Sequence, residues 1–519
     1  MNRRELIRTG SVAMLAGLVP GKSLFPSAHD EDSKNRIEQF DIYEFNLKGP
    51  SNGNPFIDVS LAAVFTLGYR SVEVEGFYDG DGNYKLRFMP DTVGEWLYHT
   101  KSNGKALNGK KGSFTCVPAK ENNHGPVSVA RTWHFSYADG KPFFPFGTTC
   151  YAWIHQSDEM VEQTLKTLRT NSFNKVRMCI FPKWYQYNRA EPKFYPFPRS
   201  TDKSQPNDFT KFNPAFFANF DYCIGQLRDL GIEADVILFH PYDKWGYDNM
   251  PADVQERYVR YVIARIGAYR NVWWSLANEY DFMKFMSAQD FQRLIQLVQQ
   301  YDPYQHLRSM HYSQKIPDYT NPVYTHASLQ TSNFSKGKEW RDEWKKPVVY
   351  DEVQYEGNIS SRWGNITGEE LTRRFYLGIL AGCYVSHGET ILKPGDELND
   401  HQQLWWSKGG VLRGKSPERI AFLKKIVEDS TFTGFTPGNN SKLAAETNNP
   451  SKPNSRVMIF YFDCHQPFSW QYDLGHGTFK AELIDTWNMK IAELPGSYTK
   501  KCELKLIGKP WQLIRFTQV

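Results

Sequence analysis

The run Val272-Trp273-Trp274-Ser275-Leu276 restricts the fold of this chain more than any other feature. Five such residues without a polar face make a strand covered on both sides, as strands of parallel sheets are. The run stops at Asn278 and Glu279, where strand gives way to loop. A second apolar run, Val348-Val349-Tyr350, stops the same way at Asp351 and Glu352. In a parallel β/α barrel, the loops that follow the strands gather on one face and carry the chemistry.

The rest of the chain fits a barrel. From 143 onward, apolar strand-like runs alternate with amphipathic stretches, which implies a parallel sheet. Eight strands are expected, at 143–150, 174–181, 232–239, 271–276, 307–311, 322–327, 347–351 and 382–387. Glu279 and Glu352 then follow the fourth and the seventh. Before the barrel, short alternating runs are cut by turn signals such as Asp79-Gly80-Asp81-Gly82-Asn83. They predict an N-terminal β-sandwich over 38–120. Runs at 456–462, 478–485 and 511–516 predict a C-terminal β-sandwich over 431–519. The expected fold class is α/β, a (β/α)8 TIM barrel over 125–430 with a β-sandwich at each end. A chain of 519 residues exceeds what one core holds, which agrees with several domains.

The N-terminus reads as a targeting segment. Arg3 and Arg4 precede an apolar stretch at 12–19 that is too short to cross a bilayer. Residues 1–28 resemble a twin-arginine signal peptide, so the chain is expected to be exported, periplasmic or secreted, without a membrane anchor. The net charge of +5 is spread along the chain and gives no nucleic-acid surface. Seven cysteines form no CxxC pair, and Cys150, Cys179 and Cys383 fall in apolar runs where buried thiols are expected. No metal site and no cofactor are expected.

Two carboxylates delivered to one barrel mouth suit cleavage of a glycosidic bond. One protonates the leaving oxygen while the other attacks or stabilises the anomeric carbon. Asp351 and Glu356 compete with Glu352 because strand ends are read only to within two residues. Side chains alternate along a strand, so Asp351 and Glu352 cannot both face the mouth. Trp153, Trp184, Tyr280, Tyr355 and Trp363 fall just past strand ends, where rings can stack on a sugar. The loop at 182–213 is aromatic, proline-rich and too long for a plain connection.

With Asn278-Glu279 after strand four, Glu352 after strand seven and a Pro90-x-x-x-Gly94-x-Trp96 turn in the leading β unit, the chain resembles clan A of the retaining glycoside hydrolases. Its layout resembles their exported, apiosidase-like relatives. The resemblance implies Glu279 as acid/base, Glu352 as nucleophile and Asn278 as donor to the hydroxyl beside the reacting carbon. It places Arg177 beneath the nucleophile, holding Glu352 ionised. It also implies that His240, His311 and His326, at strand ends, bond to sugar hydroxyls or to the carboxylates. Tyr324 matches the strand-six tyrosine that orients the nucleophile only if that strand ends early. The loop after strand eight, with Lys393, Asp396, Glu397, Asp400 and His401, serves recognition in such relatives. The expected function is a retaining glycoside hydrolase acting on polysaccharide or oligosaccharide by two-carboxylate double displacement. The alternative is a non-catalytic carbohydrate-binding protein on the same scaffold. A cofactor-bearing redox enzyme, which a twin-arginine signal also suggests, finds no nucleotide loop or metal motif here.

Overall fold

The computed structural model describes residues 35–519 except 187, 203, 395–405, 432, 439–443, 450, 451 and 453. The signal segment 1–28 and Asp396, Glu397, Asp400 and His401 of the eighth loop lie outside the described residues. Eight strands form the barrel: Phe146–Thr149, Lys175–Cys179, Glu233–Phe239, Val272–Ala277, Arg308–Ser309, Ala327–Gln330, Val348–Glu352 and Tyr384–His387. Every pairing between them is parallel, and they neighbour one another in the order five-four-three-two-one-eight-seven-six. Closure between strands five and six rests on a parallel bridge from His311 to Ser328 and on the Thr325 amide donating to the Arg308 carbonyl at 2.9 Å. Val272–Ala277 is buried at all six positions, as a strand of a helix-covered parallel sheet must be.

Two strands differ from their expected limits. Phe143 pairs with Phe135 in a small antiparallel sheet instead of opening barrel strand one, which starts at Phe146. Strand six runs over Ala327–Gln330, not 322–327. The apolar residues Val323 and Tyr324 are buried without being strand, because the chain turns there. The Tyr324 amide donates to Asn321 O at 3.2 Å, and Lys346 Nζ clamps the carbonyls of Tyr319 and Asn321. Burial in such a turn gives the same apolar signal as burial in a strand.

The helices have local causes. Pro214–Asp229 opens with proline in its first turn, where no amide is missed, and its cap Asn213 accepts from Ala215 N at 3.1 Å. Ala288–Tyr301 carries a reciprocal capping box between Ser287 and Asp290. Among the described residues no helix is long and apolar enough to cross a membrane.

The N-terminal unit packs a five-stranded sheet on a three-stranded one, with Phe65 stacked on Phe88 at 4.1 Å in its core. Trp96 of the Pro-x-x-x-Gly-x-Trp turn is fully buried there and donates to Thr92 O at 2.9 Å, so this motif builds a turn and offers no sugar face. The sandwich is tied to barrel helices by buried ions. Arg87 and Arg265 both reach Asp221, at 3.0 and 2.8 Å, and Arg265 also holds Asp79 at 2.6 Å.

The C-terminal strands form one six-stranded sheet that folds over its own core. Phe460 meets Trp470 and Tyr472 at 5.0 and 4.2 Å although their strands are not neighbours in the sheet. Bulges after Asp473 and Phe479 allow that bend. Tyr461 stacks on barrel residue Tyr376 at 4.9 Å, and Arg373 pairs with Asp463.

At the start of barrel strand three, Glu233 is buried and accepts from Trp273 Nε1 at 2.9 Å. Burial pushes its carboxyl up to about 8 from an ordinary 4.5. The folded protein therefore keeps a proton that the unfolded chain releases, and this contribution to stability declines as pH rises from about 4.5 to about 8. Glu233→Gln keeps a neutral acceptor for Trp273 without the titration. Thermal melting of the variant is expected to depend less on pH over that window and to exceed the wild type at its upper end.

Candidate active site

Beneath the mouth, charged residues of strands two, three and seven build a closed ionic layer. Alternation places Lys175 and Arg177 on the same face of strand two. Lys175 Nζ holds Asp235 at 2.6 Å and Asp351 at 2.7 Å, while Arg177 Nη1 holds the same two at 3.0 and 3.2 Å. Ser328 and Ser386 donate to Asp351 at 2.6 and 3.0 Å. Two cations and two anions balance within the described layer. Burial opposes the charge on Asp351, but Lys175 and Arg177 outweigh it and hold the carboxyl well below the usual carboxylate range. The second guanidinium nitrogen of Arg177 reaches up to Asn278 Oδ1 at 3.3 Å.

The two glutamates stand above this layer. Glu279 follows strand four in left-handed backbone (φ 46°, ψ 52°), an arrangement a non-glycine residue holds only under local constraint. The constraint comes from its neighbour: the Glu279 amide donates to His311 Nδ1 at 3.4 Å, and the Tyr280 amide to His311 O at 3.1 Å. The carboxylate accepts from Asn278 Nδ2 at 3.1 Å and Gln330 Nε2 at 3.2 Å, and Tyr242 interacts with it through its hydroxyl. Glu352 ends strand seven and accepts from the Tyr151 hydroxyl, with Tyr355 a further hydroxyl partner. Burial, followed by the charge of Glu279, pushes Glu352 up to about 7. Lys183, Tyr151 and Arg177 pull the other way.

The structure brings Glu279, Glu352 and Asn278 together and puts Asp351 in the layer below. Glu356 is elsewhere, accepting the amides of Lys415 and Ser416 at 2.7 and 2.9 Å. Arg177 lies below the mouth as expected, and its charge favours the ionised Glu352; at 1 % exposure its bonds go to Asp235, Asp351 and Asn278, so it is a positioning group and not a substrate ligand. Several other expectations are corrected. Both ring nitrogens of His240 are engaged, Nε2–H donating to Phe181 O at 3.1 Å and Nδ1 accepting from Tyr242 N at 3.2 Å. Burial, with the charge of Lys183, lowers its pKa to about 3, so it is a neutral post for Tyr242 and not a sugar ligand.

His326 stands at the entry of strand six and not at its end, packed edge-on to Trp273 at 5.2 Å on the barrel floor. Trp153 is 0 % exposed within the core and has no face to offer. Tyr355 is also buried and serves Glu352 through its hydroxyl instead of presenting a ring. Tyr324 packs against Tyr319 and bonds to neither glutamate. Trp184, Tyr280 and Trp363 remain half-buried at the rim. One face of Trp184 is covered by the Lys244 ammonium at 3.5 Å. Tyr280 meets Phe291 edge-on, and Trp363 meets Tyr355 the same way.

Sequence reasoning missed Tyr151, Tyr242, Gln330 and Lys183. Tyr151 and Tyr242 each follow a strand closely, a signal that was present but shared with many core tyrosines. Gln330 was hidden by the displaced strand six. Lys183 opens the long loop, and nothing local marks it. The His240, His311, His326 and His387 side chains do not converge, and among the described residues no cluster has a metal-binding arrangement.

Two buried carboxylates at the C-terminal mouth of a closed parallel barrel, carried on strands four and seven, define the class: a (β/α)8 glycoside hydrolase of the clan A type. More narrowly, the chain belongs to the apiosidase-like family, whose catalytic domain matches residues 130–433. Residues 36–103 and 448–517 match two domains of unknown function, DUF5060 and DUF5605. The chain is similar to a protein of Bacteroides vulgatus ATCC 8482, provisionally described as a glycoside hydrolase. The two are 36% identical over 93% of this chain and 100% of that one, with a TM-score of 0.87. A family 5 glycoside hydrolase of the same organism shares the fold at 15% identity, over 76% of this chain and 94% of its own, with a TM-score of 0.57. No curated protein matches.

The ionic layer predicts a stability effect that is separate from chemistry. Asp351→Asn leaves Lys175 and Arg177 facing a single carboxylate, Asp235. Breaking such a buried set by removing one partner costs about 3–5 kcal/mol. Chemical denaturation should show this loss, and a variant as stable as the wild type would contradict the coupling described.

Proposed function

We propose that the protein is a retaining glycoside hydrolase that cleaves polysaccharide or oligosaccharide by double displacement. One observation carries the reading: Glu279 and Glu352 arrive from two strand ends at one mouth, close enough for the charge of one to raise the pKa of the other. In the first step Glu352 attacks the anomeric carbon while Glu279 gives its proton to the departing oxygen. In the second, Glu279 takes a proton from water, and the hydroxide oxygen displaces Glu352 from the sugar.

The surrounding groups support these roles. Tyr151 holds the attacking carboxylate in line. Asn278 has one amide hydrogen bonded to Glu279 and a second for the hydroxyl beside the reacting carbon. His311 accepts through Nδ1, so its proton is on Nε2, which is buried without a partner among the described residues and suits a sugar oxygen. A protein that only bound sugar would gain nothing from two coupled carboxyls at hydrogen-bonded, constrained positions. The Arg3-Arg4 segment supports export to the periplasm or medium.

The assignment is tested with aryl glycosides whose leaving groups depart without protonation. Glu279→Ala should still release one equivalent of phenol in a burst and then stall. Azide, which needs no base, should restore turnover with retained configuration. Glu352→Ala should give no burst. Substrates with poor leaving groups should lose at least ~10²–10⁴-fold in both. A burst in Glu352→Ala and none in Glu279→Ala would exchange the two roles, and an Asp351 variant behaving as the nucleophile knockout would overturn the reading of strand seven.

A further inference from the structure

Lys183 is 7 % exposed, and its ammonium makes no hydrogen bond or ion pair among the described residues. The side chain is enclosed, so the ammonium's place is set by what packs around it. What surrounds it is aromatic. Nζ lies over the ring of Tyr151 at 4.0 Å and over that of Tyr242 at 4.3 Å, with Tyr185 farther off at 5.7 Å. Each of the two close rings is a partner of a different glutamate: Tyr151 donates to Glu352, and Tyr242 interacts with Glu279. The Trp184 amide donates to Tyr242 O at 2.7 Å, which anchors the start of the long loop, and Lys183 with it, to the loop carrying Tyr242.

We propose that Lys183 is a positioning residue for both carboxylates at once, a single ammonium wedged between the faces of the two tyrosines that hold them. The inference rests on the reading of the site as a glycosidase. The cation–π contacts fix each ring, and hence each hydroxyl, relative to the other. A cation on the ring face also withdraws charge from the phenol and makes it a better donor to a carboxylate. Through Tyr151 both effects, together with the ammonium's own charge, favour the charged form of Glu352, while Tyr242 serves Glu279.

Glu279, Lys183, Arg177, Tyr151, Tyr355 and Tyr242 are the titratable groups that face Glu352 from the surrounding strands and loops. Cys179, at the end of strand two, faces it as an uncharged thiol, pushed up to about 12 mainly by burial. Arg177 is bonded elsewhere, and the tyrosines are neutral. Lys183 is therefore the one cation of this described set not already joined to another carboxylate.

The test compares Lys183→Met and Lys183→Arg with the wild type, after melting curves show both are folded. With an activated aryl glycoside, Lys183→Met should move the acid limb of kcat/KM upward by about one pH unit. That leaves it about tenfold slower on the acid side and close to the wild type above the limb. Lys183→Arg keeps the charge and should leave the limb in place. A merely structural lysine would lower kcat/KM equally at every pH, and that result overturns the proposal. A second readout needs no turnover: carbon-13 NMR titration of protein labelled at the glutamate carboxyls, with Glu352→Gln identifying the Glu352 signal. The Glu352 signal should titrate higher in Lys183→Met. If it does and no glycoside is hydrolysed, the positioning role stands and the glycosidase reading falls. If glycosides are hydrolysed while limb and signal stay unmoved, the reverse holds.

Discussion

The active-site end of this barrel depends on four charges closed inside it. Lys175, Arg177, Asp235 and Asp351 come from strands two, three and seven and have no water to share. Apolar side chains would fill the same space with less desolvation. What they would not supply is direction. Charge-assisted bonds join strand seven to strand two with fixed geometry, and Arg177 carries that registration upward to Asn278. The hydrogen bonds of the two glutamates begin one layer above, so their geometry follows from a network that never touches substrate.

The flanking sheets extend the same logic outward. Arg87 and Arg265 converge on Asp221 with little exposure, binding sandwich to barrel by directional contacts. At the other end Tyr376 on Tyr461 and Arg373 on Asp463 join the folded-over sheet to the barrel helices. Neither flank supplies a group to the Glu279 and Glu352 surroundings described above.

Much of this was legible in the sequence, for reasons that can be stated. Strands four and seven were readable because burial on both faces leaves an unbroken apolar run, and because each run ends on an acid. Strand six was not, since Val323 and Tyr324 are as apolar as a strand while lying in a buried turn. The error displaced His326 to the wrong end of the barrel and hid Gln330. Arg177 was expected beneath the nucleophile, and its charge does favour the ionised Glu352. Its ion pair is with Asp351, because a sequence does not tell which of two adjacent acids turns inward. Trp153 and Tyr355 sit past strand ends as stacking residues would, yet the chain folds back over both. The cage around Lys183 joins residues from three loops and leaves no local pattern to read.

The seam between strands five and six has a further consequence. Strand five is only two residues long, so its backbone ladder to strand six is one bridge and one neighbouring amide. Side chains complete the closure: Ser309 Oγ donates to His326 O at 2.6 Å, and the Tyr319 hydroxyl lies at 2.7 and 2.6 Å from the carbonyls of Met310 and Ser328. His311 and Gln330, on the two lips of the seam, both hold Glu279. Glu352 is held by Tyr151 after strand one and Tyr355 after strand seven, away from it. The two carboxyls therefore depend on different parts of the wall. Glu279 is held across a seam that side chains close, and Glu352 by loops outside that seam.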